Sequence, residues 1–125
     1  MNKYCVSHSI CCTVQADVPL LDKLTQELRR GGIVLAVLGA LRQEHYGYSL
    51  RKALEEEGLA VEEGTLYPLV RRLEQQGLLT SEWREEGRRK KRFYRLSADG
   101  TAVLAGLRAQ WRALSDSIER ITAEE

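Results

Sequence analysis

The segment from Gly64 to Leu96 constrains the fold of this chain more than any other part of the sequence. It begins with apolar residues at helical spacing, continues into an alternating stretch typical of a strand, and returns through a basic turn into a second strand. Between Arg88 and Arg95 every residue is Arg or Lys except Phe93 and Tyr94. A basic hairpin directly after an amphipathic helix is suited to gripping a phosphate backbone. The segment therefore predicts a nucleic-acid surface.

The distribution of charge supports this interpretation more than the net charge does. The formal net charge is only +1, but residues 1–83 sum to −2, residues 84–95 to +5 and residues 96–125 to −2. A localised basic patch matters more for phosphate binding than the total charge does. The alternative is a solvated turn whose Lys and Arg residues only keep the hairpin soluble. Six basic residues in the eight from Arg88 to Arg95 are dense for that purpose.

The bulk composition limits the class of protein. A chain of 125 residues, 43% hydrophobic and 30% charged, fits one ordered domain with a single core. Since no apolar run approaches the ~20 residues that span a bilayer and the N-terminus is a poor secretory signal, we expect a cytoplasmic protein with no membrane partner. With two His, no Ser/His/Asp arrangement and no phosphate-cradling Gly loop, we expect neither an enzyme nor a cofactor.

The first nineteen residues contain all three cysteines, Cys5, Cys11 and Cys12, and are typical of a flexible N-terminal extension. Together with His8 these cysteines could ligate a soft metal, or the vicinal pair could sense oxidants. The spacing matches no closed zinc template. We therefore expect a reduced tail that binds no metal.

Apolar periodicity and turn residues predict the order of elements from residue 20 onward. We expect a first helix to about Arg30 that ends at Gly31-Gly32, and then an apolar core helix from Ile33 to Leu41. Two further helices follow: one from Gly47 to Glu57 that Gly58 stops, and one with Thr65 as N-cap and Pro68 in its first turn that stops at Gly77. Strands Leu79–Trp83 and Arg92–Leu96 are then joined by a turn at Glu85–Gly87, and a helix from about Ala98 to Ile121 is capped by Ser97 or Asp99.

The last predicted helix carries an a/d seam, formed by Leu104, Leu107, Trp111, Leu114, Ile118 and Ile121. A domain of this size needs only part of such a stripe for its own core. The remainder is covered either by a second copy of the chain or by the chain's own N-terminal helix. A homodimer is the simpler of these two arrangements.

Three helices, a hairpin and a long helix follow the order of a winged helix-turn-helix domain. We therefore predict a mostly α (α+β) fold with a two-stranded wing and a long C-terminal dimerisation helix. The predicted divisions are an N-terminal extension (1–19), a winged-helix domain (20–97) and the dimerisation helix (98–125). In such a domain the third helix enters the major groove of double-stranded DNA, and the wing contacts flanking phosphate or the minor groove.

Individual DNA-contact residues follow from this placement. Thr65 and Tyr67 near the start of the recognition helix are candidates for base or phosphate contact, and Tyr67 could equally be an aromatic at the core edge. Further along the helix, Arg71 and Arg72 can bond guanine or neutralise phosphate. The wing residues expected at phosphates are Arg88, Arg89, Lys90 and Lys91, with Arg92 on the strand nearest the tip.

Several motifs together give the chain a resemblance to PadR-type transcriptional regulators from about Gly32 to Trp111. They are Tyr46-Gly47-Tyr48, the run GTLYPLVRRLEQQGLL from Gly64, Ser81-Glu82-Trp83, the basic stretch from Arg88 to Leu96, and Ser97, Asp99 and Gly100 at the turn into the last helix. The resemblance implies a dimeric DNA-binding repressor whose C-terminal helix dimerises and often helps to form an effector pocket.

The resemblance also implies where an effector would bind. Leu107, Trp111, Leu114 and Ile118 would line the dimer interface, where a small planar aromatic effector could bind. Trp111 is then either plain core or one wall of that pocket. Two-fold symmetry predicts a pseudo-palindromic operator. The alternative function is a protein-interaction module whose basic wing meets an acidic protein partner.

Overall fold

The computed structural model describes residues 18–124, in which four helices and three strands occur. In chain order they are α1 (Val18–Ala40), β1 (His45–Tyr46), α2 (Gly47–Glu56), α3 (Glu63–Gln75), β2 (Leu79–Glu86), β3 (Arg89–Leu96) and α4 (Ala98–Thr122). The strands form an antiparallel sheet in the order β1-β3-β2. This mostly helical fold with a β wing confirms the predicted fold class.

Helix α1 contradicts the predicted break at Gly31-Gly32, because it continues through both glycines to Ala40. A glycine inside a helix costs only about 0.5–1 kcal/mol relative to alanine, which the packing of neighbouring residues can offset. The described residues nevertheless divide at this point into two units, 18–32 and 33–124. In the first unit Leu20, Leu21, Leu24 and Leu28 are exposed.

The core of the second unit lies where the most apolar stretch of the sequence predicts it. Val37, Leu38 and Leu41 at the end of α1 and just beyond it are completely buried. The other buried members of the cluster are Leu50, Leu54, Val61, Leu66, Leu69, Val70, Leu73 and Leu79. Each fully buried side chain of this size contributes about 1.5–3 kcal/mol relative to its exposed state. This shared core holds α2, α3 and the sheet in fixed relation to one another.

Helix α3 begins earlier than predicted. Its N-cap residue is Glu62, whose carbonyl accepts from the amides of Thr65 and Leu66, so the prediction of Thr65 as N-cap is wrong. Pro68 consequently lies beyond the first turn, where its ring nitrogen cannot bond the Gly64 carbonyl. Because Gly64 is exposed at the start of the helix, water can satisfy that carbonyl instead.

Gly77 ends α3 as predicted. It has a φ of 84°, a conformation that favours glycine. The Leu78 amide donates to the Leu73 carbonyl at 3.0 Å and the Gly77 amide to the Glu74 carbonyl at 2.9 Å, which is a Schellman cap. The cap turns the chain directly into the first wing strand.

The wing is longer than the sequence predicts. Strand β2 extends to Glu86 and β3 begins at Arg89, so only Gly87 and Arg88 form the turn and the predicted turn at Glu85–Gly87 is wrong. Glu86 faces Arg89 and Glu85 faces Lys90 across the two strands. The backbone ladder therefore continues up to the two-residue turn.

Strand β1 is absent from the predicted elements, so the sheet has three strands where the sequence predicts only the two of the wing. His45 pairs with Tyr94 and Tyr46 with Phe93. Two residues are too few to show alternation, and their pairing partners lie almost fifty positions away in the sequence.

Helix α4 begins at Ala98 as predicted, and of the two predicted caps Ser97 is the N-cap, whose hydroxyl accepts from the Gly100 amide at 2.9 Å. The same hydroxyl donates to the Gly77 carbonyl at 2.7 Å. A Cβ at Gly100 would clash with the Leu78 carbonyl, so only glycine fits at this position. The start of α4 is thereby fixed against the loop that connects the recognition helix to the wing.

Candidate nucleic-acid interface

The recognition helix α3 separates its buried side chains from its polar ones. Leu66, Leu69, Val70 and Leu73 are buried in the core. Thr65, Arg71 and Arg72 are exposed, and neither arginine side chain forms a hydrogen bond or an ion pair with another residue in the range 18–124. The two guanidinium groups are therefore free to bind an external anion.

Tyr67 is half-buried against the first residue of α2. A Cβ at Gly47 would lie 3.0–3.2 Å from three atoms of the Tyr67 ring and hydroxyl, so a larger residue there would require the ring to move by a few tenths of an ångström. The Tyr67 ring of the recognition helix thus lies against the backbone of Gly47 in the Tyr46-Gly47-Tyr48 motif. The placement corresponds to the core-edge alternative, while a contact between Tyr67 and DNA stays a prediction.

The wing tip presents three basic side chains. Arg88 lies in the turn, and Arg89 and Lys90 are the first residues of β3. All three are exposed, and within the described part of the chain none of them forms an ion pair. Their exposure leaves them accessible to phosphate, and a contact with DNA stays a prediction.

Lys91 differs from the three residues before it. Its Nζ lies 3.2 Å from a carboxylate oxygen of Glu86 and 4.2 Å from the centroid of the Tyr46 ring. The hydrogen bond to Glu86 raises the pKa of Lys91. Its charge is partly compensated before any DNA binds.

Arg92 joins the wing to the recognition helix. Its Nη2 donates to both carboxylate oxygens of Glu74, at 3.0 and 3.2 Å, and its Nε donates to the Ser81 hydroxyl at 2.9 Å. The Ser81 hydroxyl in turn donates to Glu74. Arg92 is therefore engaged within the chain. The sequence did not predict Glu74 and Ser81 as site residues, since nothing in their sequence positions shows that they meet Arg92.

A second ion pair joins the wing to the segment after α1. Arg84 donates to the carboxylates of Glu44 and of Glu82, the latter at 2.7 Å, and its guanidinium carbon lies 4.5 Å from the Phe93 ring centroid. The hydrogen bond from Arg84 lowers the pKa of Glu44. Of the basic residues in the hairpin, Arg84, Lys91 and Arg92 thus form ion pairs, whereas Arg95 and the three residues at the tip form none within residues 18–124.

The C-terminal seam is largely exposed in the single chain. Leu104 packs against the core. The exposed fraction of the residues beyond it is 38% for Leu107, 46% for Trp111, 53% for Leu114, 41% for Ile118 and 80% for Ile121. Apolar side chains in register along one helix face at this exposure are typical of an interaction surface.

Residues 18–124 contain no cluster of three or more metal-ligating side chains, and no helix in that range is long and apolar enough to cross a bilayer. Cys5, His8, Cys11 and Cys12, which the sequence raises as possible metal ligands, lie outside the described residues.

The helix-turn-helix formed by α2 and α3, the hairpin that follows and its charged tip define a winged helix-turn-helix DNA-binding protein. The chain belongs to the transcriptional regulator PadR-like family, whose model matches residues 34–106, more than half of the sequence. The resemblance noted from the motifs is thereby confirmed, and with it DNA-binding transcription regulation as the general function.

Individual relatives agree with this assignment. The chain is 40% identical over 80 residues to the transcriptional regulator Rv3488 of Mycobacterium tuberculosis, covering 63% of this chain and 75% of the relative. Its fold matches the crystal structure of a PadR family transcriptional regulator from Eggerthella lenta with a TM-score of 0.83 and 41% identity, covering 89% of this chain and 99% of that one. A PadR-like transcription factor from Bacteroides fragilis matches with a TM-score of 0.67 and 30% identity, covering 80% and 99%.

Proposed function

We propose that the protein is a homodimeric repressor that binds a pseudo-palindromic operator and releases it in response to a small ligand. The observation that carries the DNA-binding part is that Arg71 and Arg72 on α3 and three residues at the wing tip are exposed, with side chains that form no ion pair within residues 18–124. They lie on the two elements that a winged helix presents to DNA. The proposed role is regulatory and includes no catalytic step.

The two elements divide the work of recognition. Thr65, near the start of α3, and Arg72 further along it are proposed to contact base edges, because the N-terminal part of a recognition helix enters the major groove. Arg88, Arg89 and Lys90 are proposed to contact phosphates, which raise affinity for every DNA sequence. Sequence preference is then a property of the helix, and salt dependence is mainly a property of the wing.

The dimer is supported by the seam on α4. Leu107, Trp111, Leu114 and Ile118 repeat at alternating steps of four, three and four residues, the spacing of a two-helix interface. A second copy of the chain would cover them and place two recognition helices about one helical turn of DNA apart. Between the paired helices, Trp111 and its symmetry mate would form walls against which a planar aromatic ligand could stack.

The specificity of DNA binding is tested by fluorescence anisotropy with the duplex that precedes the protein's own gene and with a random duplex of equal length, at physiological salt. We expect tighter binding to the first duplex, by at least about 1,000-fold if the site is a true operator. Equal affinity for both duplexes would rule out sequence-specific regulation of that gene. If the protein binds an acidic protein, and its affinity for DNA does not fall steeply as the salt concentration rises, the interaction module is favoured instead.

The ligand part of the proposal has a separate test. Trp111 fluorescence is followed in a Trp83→Phe variant during titration with a panel of planar aromatic compounds. We expect at least one compound to quench Trp111 and to weaken operator binding at the same concentration. No quenching across a broad panel would contradict an aromatic effector at the seam and leave the DNA-binding proposal intact.

A further inference from the structure

A cleft of about 230 Å³ lies between the start of α2, the recognition helix and the wing. Four aromatic side chains line it, those of Tyr46, Tyr67, Trp83 and Tyr94, together with the cations Arg71 and Lys91 among others. The cleft lies wholly within residues 33–124. The sequence predicts no cleft at this place, and it assigns no DNA contact to Tyr46 or Trp83.

The size and exposure of the cleft point to part of a larger molecule. Pockets for drug-sized ligands measure roughly 300–1,000 Å³, so this one is smaller than the usual range. Trp83 on one wall has an exposed fraction of 62%, which is high for a tryptophan in a folded chain. A cleft of this size and exposure can bind a single monomer unit of a longer polymer that lies across the protein surface.

The charges in the cleft favour an anionic unit. Arg92 is engaged by Glu74 at 3.0 Å and Lys91 by Glu86 at 3.2 Å. The ammonium of Lys91 has three donors, so it can bind a second acceptor in addition to Glu86. The Arg71 side chain forms no hydrogen bond or ion pair within residues 18–124, so its guanidinium can bind an anion on this wall.

The position of the cleft identifies the polymer. A recognition helix in the major groove and a wing beside the adjacent minor groove are separated by one DNA strand, because the two grooves share that strand as a wall. That strand must cross the protein between α3 and the wing. The cleft lies between α3 and the wing, where that strand would cross.

We propose that the cleft binds one sugar-phosphate unit of the strand that separates the two grooves, an inference that rests on the proposed DNA-binding function. Arg71 and Lys91 bind the phosphate oxygens. Tyr46 and Trp83 contact the apolar face of the deoxyribose. Arg71 therefore positions the backbone, and base reading depends on the other exposed residues of α3.

The test uses the two tryptophans of the chain, Trp83 and Trp111. The full-length variants Trp111→Phe and Trp83→Phe each keep one of them. Both are titrated with a labelled random duplex of about 20 base pairs, two helical turns, while label anisotropy and tryptophan emission are recorded together. In Trp111→Phe the remaining Trp83 reports on the cleft, and we expect its emission to change with the same midpoint as the anisotropy. In Trp83→Phe the remaining Trp111 lies outside the cleft, and we expect its emission to change less.

A charge variant tests the same site without altering a tryptophan. Arg71→Gln is compared with Arg95→Gln, which removes the same charge from an exposed position on β3 outside the cleft. We expect the slope of log affinity against log salt to fall by about 0.9 for each phosphate that Arg71→Gln no longer neutralises, and to stay near the parental value in Arg95→Gln.

The outcomes separate this inference from the function on which it rests. If the label anisotropy reports DNA binding while the Trp83 emission does not change, the cleft site is overturned and DNA binding still stands. Equal salt slopes for the two arginine variants would have the same meaning. No anisotropy change for the parent protein with any duplex at low salt would overturn both.

Discussion

Arg92 on the second wing strand donates to both carboxylate oxygens of Glu74 on the recognition helix, at 3.0 and 3.2 Å. The two residues are eighteen positions apart, and Ser81 on the first wing strand bonds to both of them. This three-residue network ties the wing to the helix that it flanks. A basic residue predicted to contact DNA thus orients the DNA-binding elements relative to each other.

Glu74→Gln removes the carboxylate from this network. We expect the free energy of unfolding to fall by about 1 kcal/mol, because a hydrogen bond to a charged group contributes about 1.5–3 kcal/mol when buried and this one is partly exposed. Urea unfolding of the two proteins measures the difference. Glu85→Gln is the matched control, since Glu85 is exposed and forms no ion pair within residues 18–124. Equal destabilisation by both variants would contradict the role of Glu74.

Replacing Arg88, Arg89 and Lys90 with glutamine should weaken binding to every duplex, because these residues carry free charge at the wing tip. We expect the salt slope to fall by about 0.9 for each phosphate that is no longer neutralised, and the ratio of operator to random affinity to change little. Anisotropy titrations at several salt concentrations measure both quantities. A large decrease of that ratio with an unchanged slope would assign base reading to the wing instead.

Gly100→Ala should destabilise the protein strongly. Its Cβ would clash with the Leu78 carbonyl, a backbone atom that cannot move without disturbing the wing, and overpacking of this kind costs about 1–3 kcal/mol. Gly106→Ala on the same helix is the control, because its Cβ would meet no atom within 4 Å and alanine favours the helix. Urea unfolding should therefore give changes of opposite sign for the two variants.

The ion pair of Glu44 with Arg84 should make stability depend on pH. Because Arg84 lowers the pKa of Glu44 in the folded protein, the pair stabilises the fold above the ordinary glutamate range, and this contribution disappears as the pH falls through the lowered value. We expect Glu44→Gln to be less stable than the parent at about pH 7, and the difference to be smaller at about pH 3, below the ordinary glutamate pKa. The same difference in urea midpoint at both pH values would contradict this.

Leu114→Asp should disrupt the proposed dimer, because it introduces a charge into the exposed seam of α4. Sedimentation of the parent should give twice the chain mass of 14.2 kDa, and the variant should sediment as a monomer with an unchanged circular dichroism spectrum. Arg112→Asp on the same helix, off the seam, is the control and should stay dimeric. A monomeric parent would contradict the homodimer.

Local sequence signals predicted most of the elements that carry the function. The apolar stretch from Ile33 is the core, Gly77 and Ser97 end and begin helices as expected, and the alternating and basic residues after Leu79 form the wing. These signals are strong because each depends on neighbours within a few residues, either through periodicity or through a cap.

Other features were decided only by the tertiary structure. The sequence showed where the positive charge is concentrated, but not that Glu74, Glu44 and Glu86 engage three of those cations. Nor did it show that Tyr67 packs on Gly47. These contacts join residues that are distant along the chain and carry no shared local pattern. Composition and periodicity determined that this protein has a helix and a basic wing, whereas packing around one core determined which of their charges remain free for DNA.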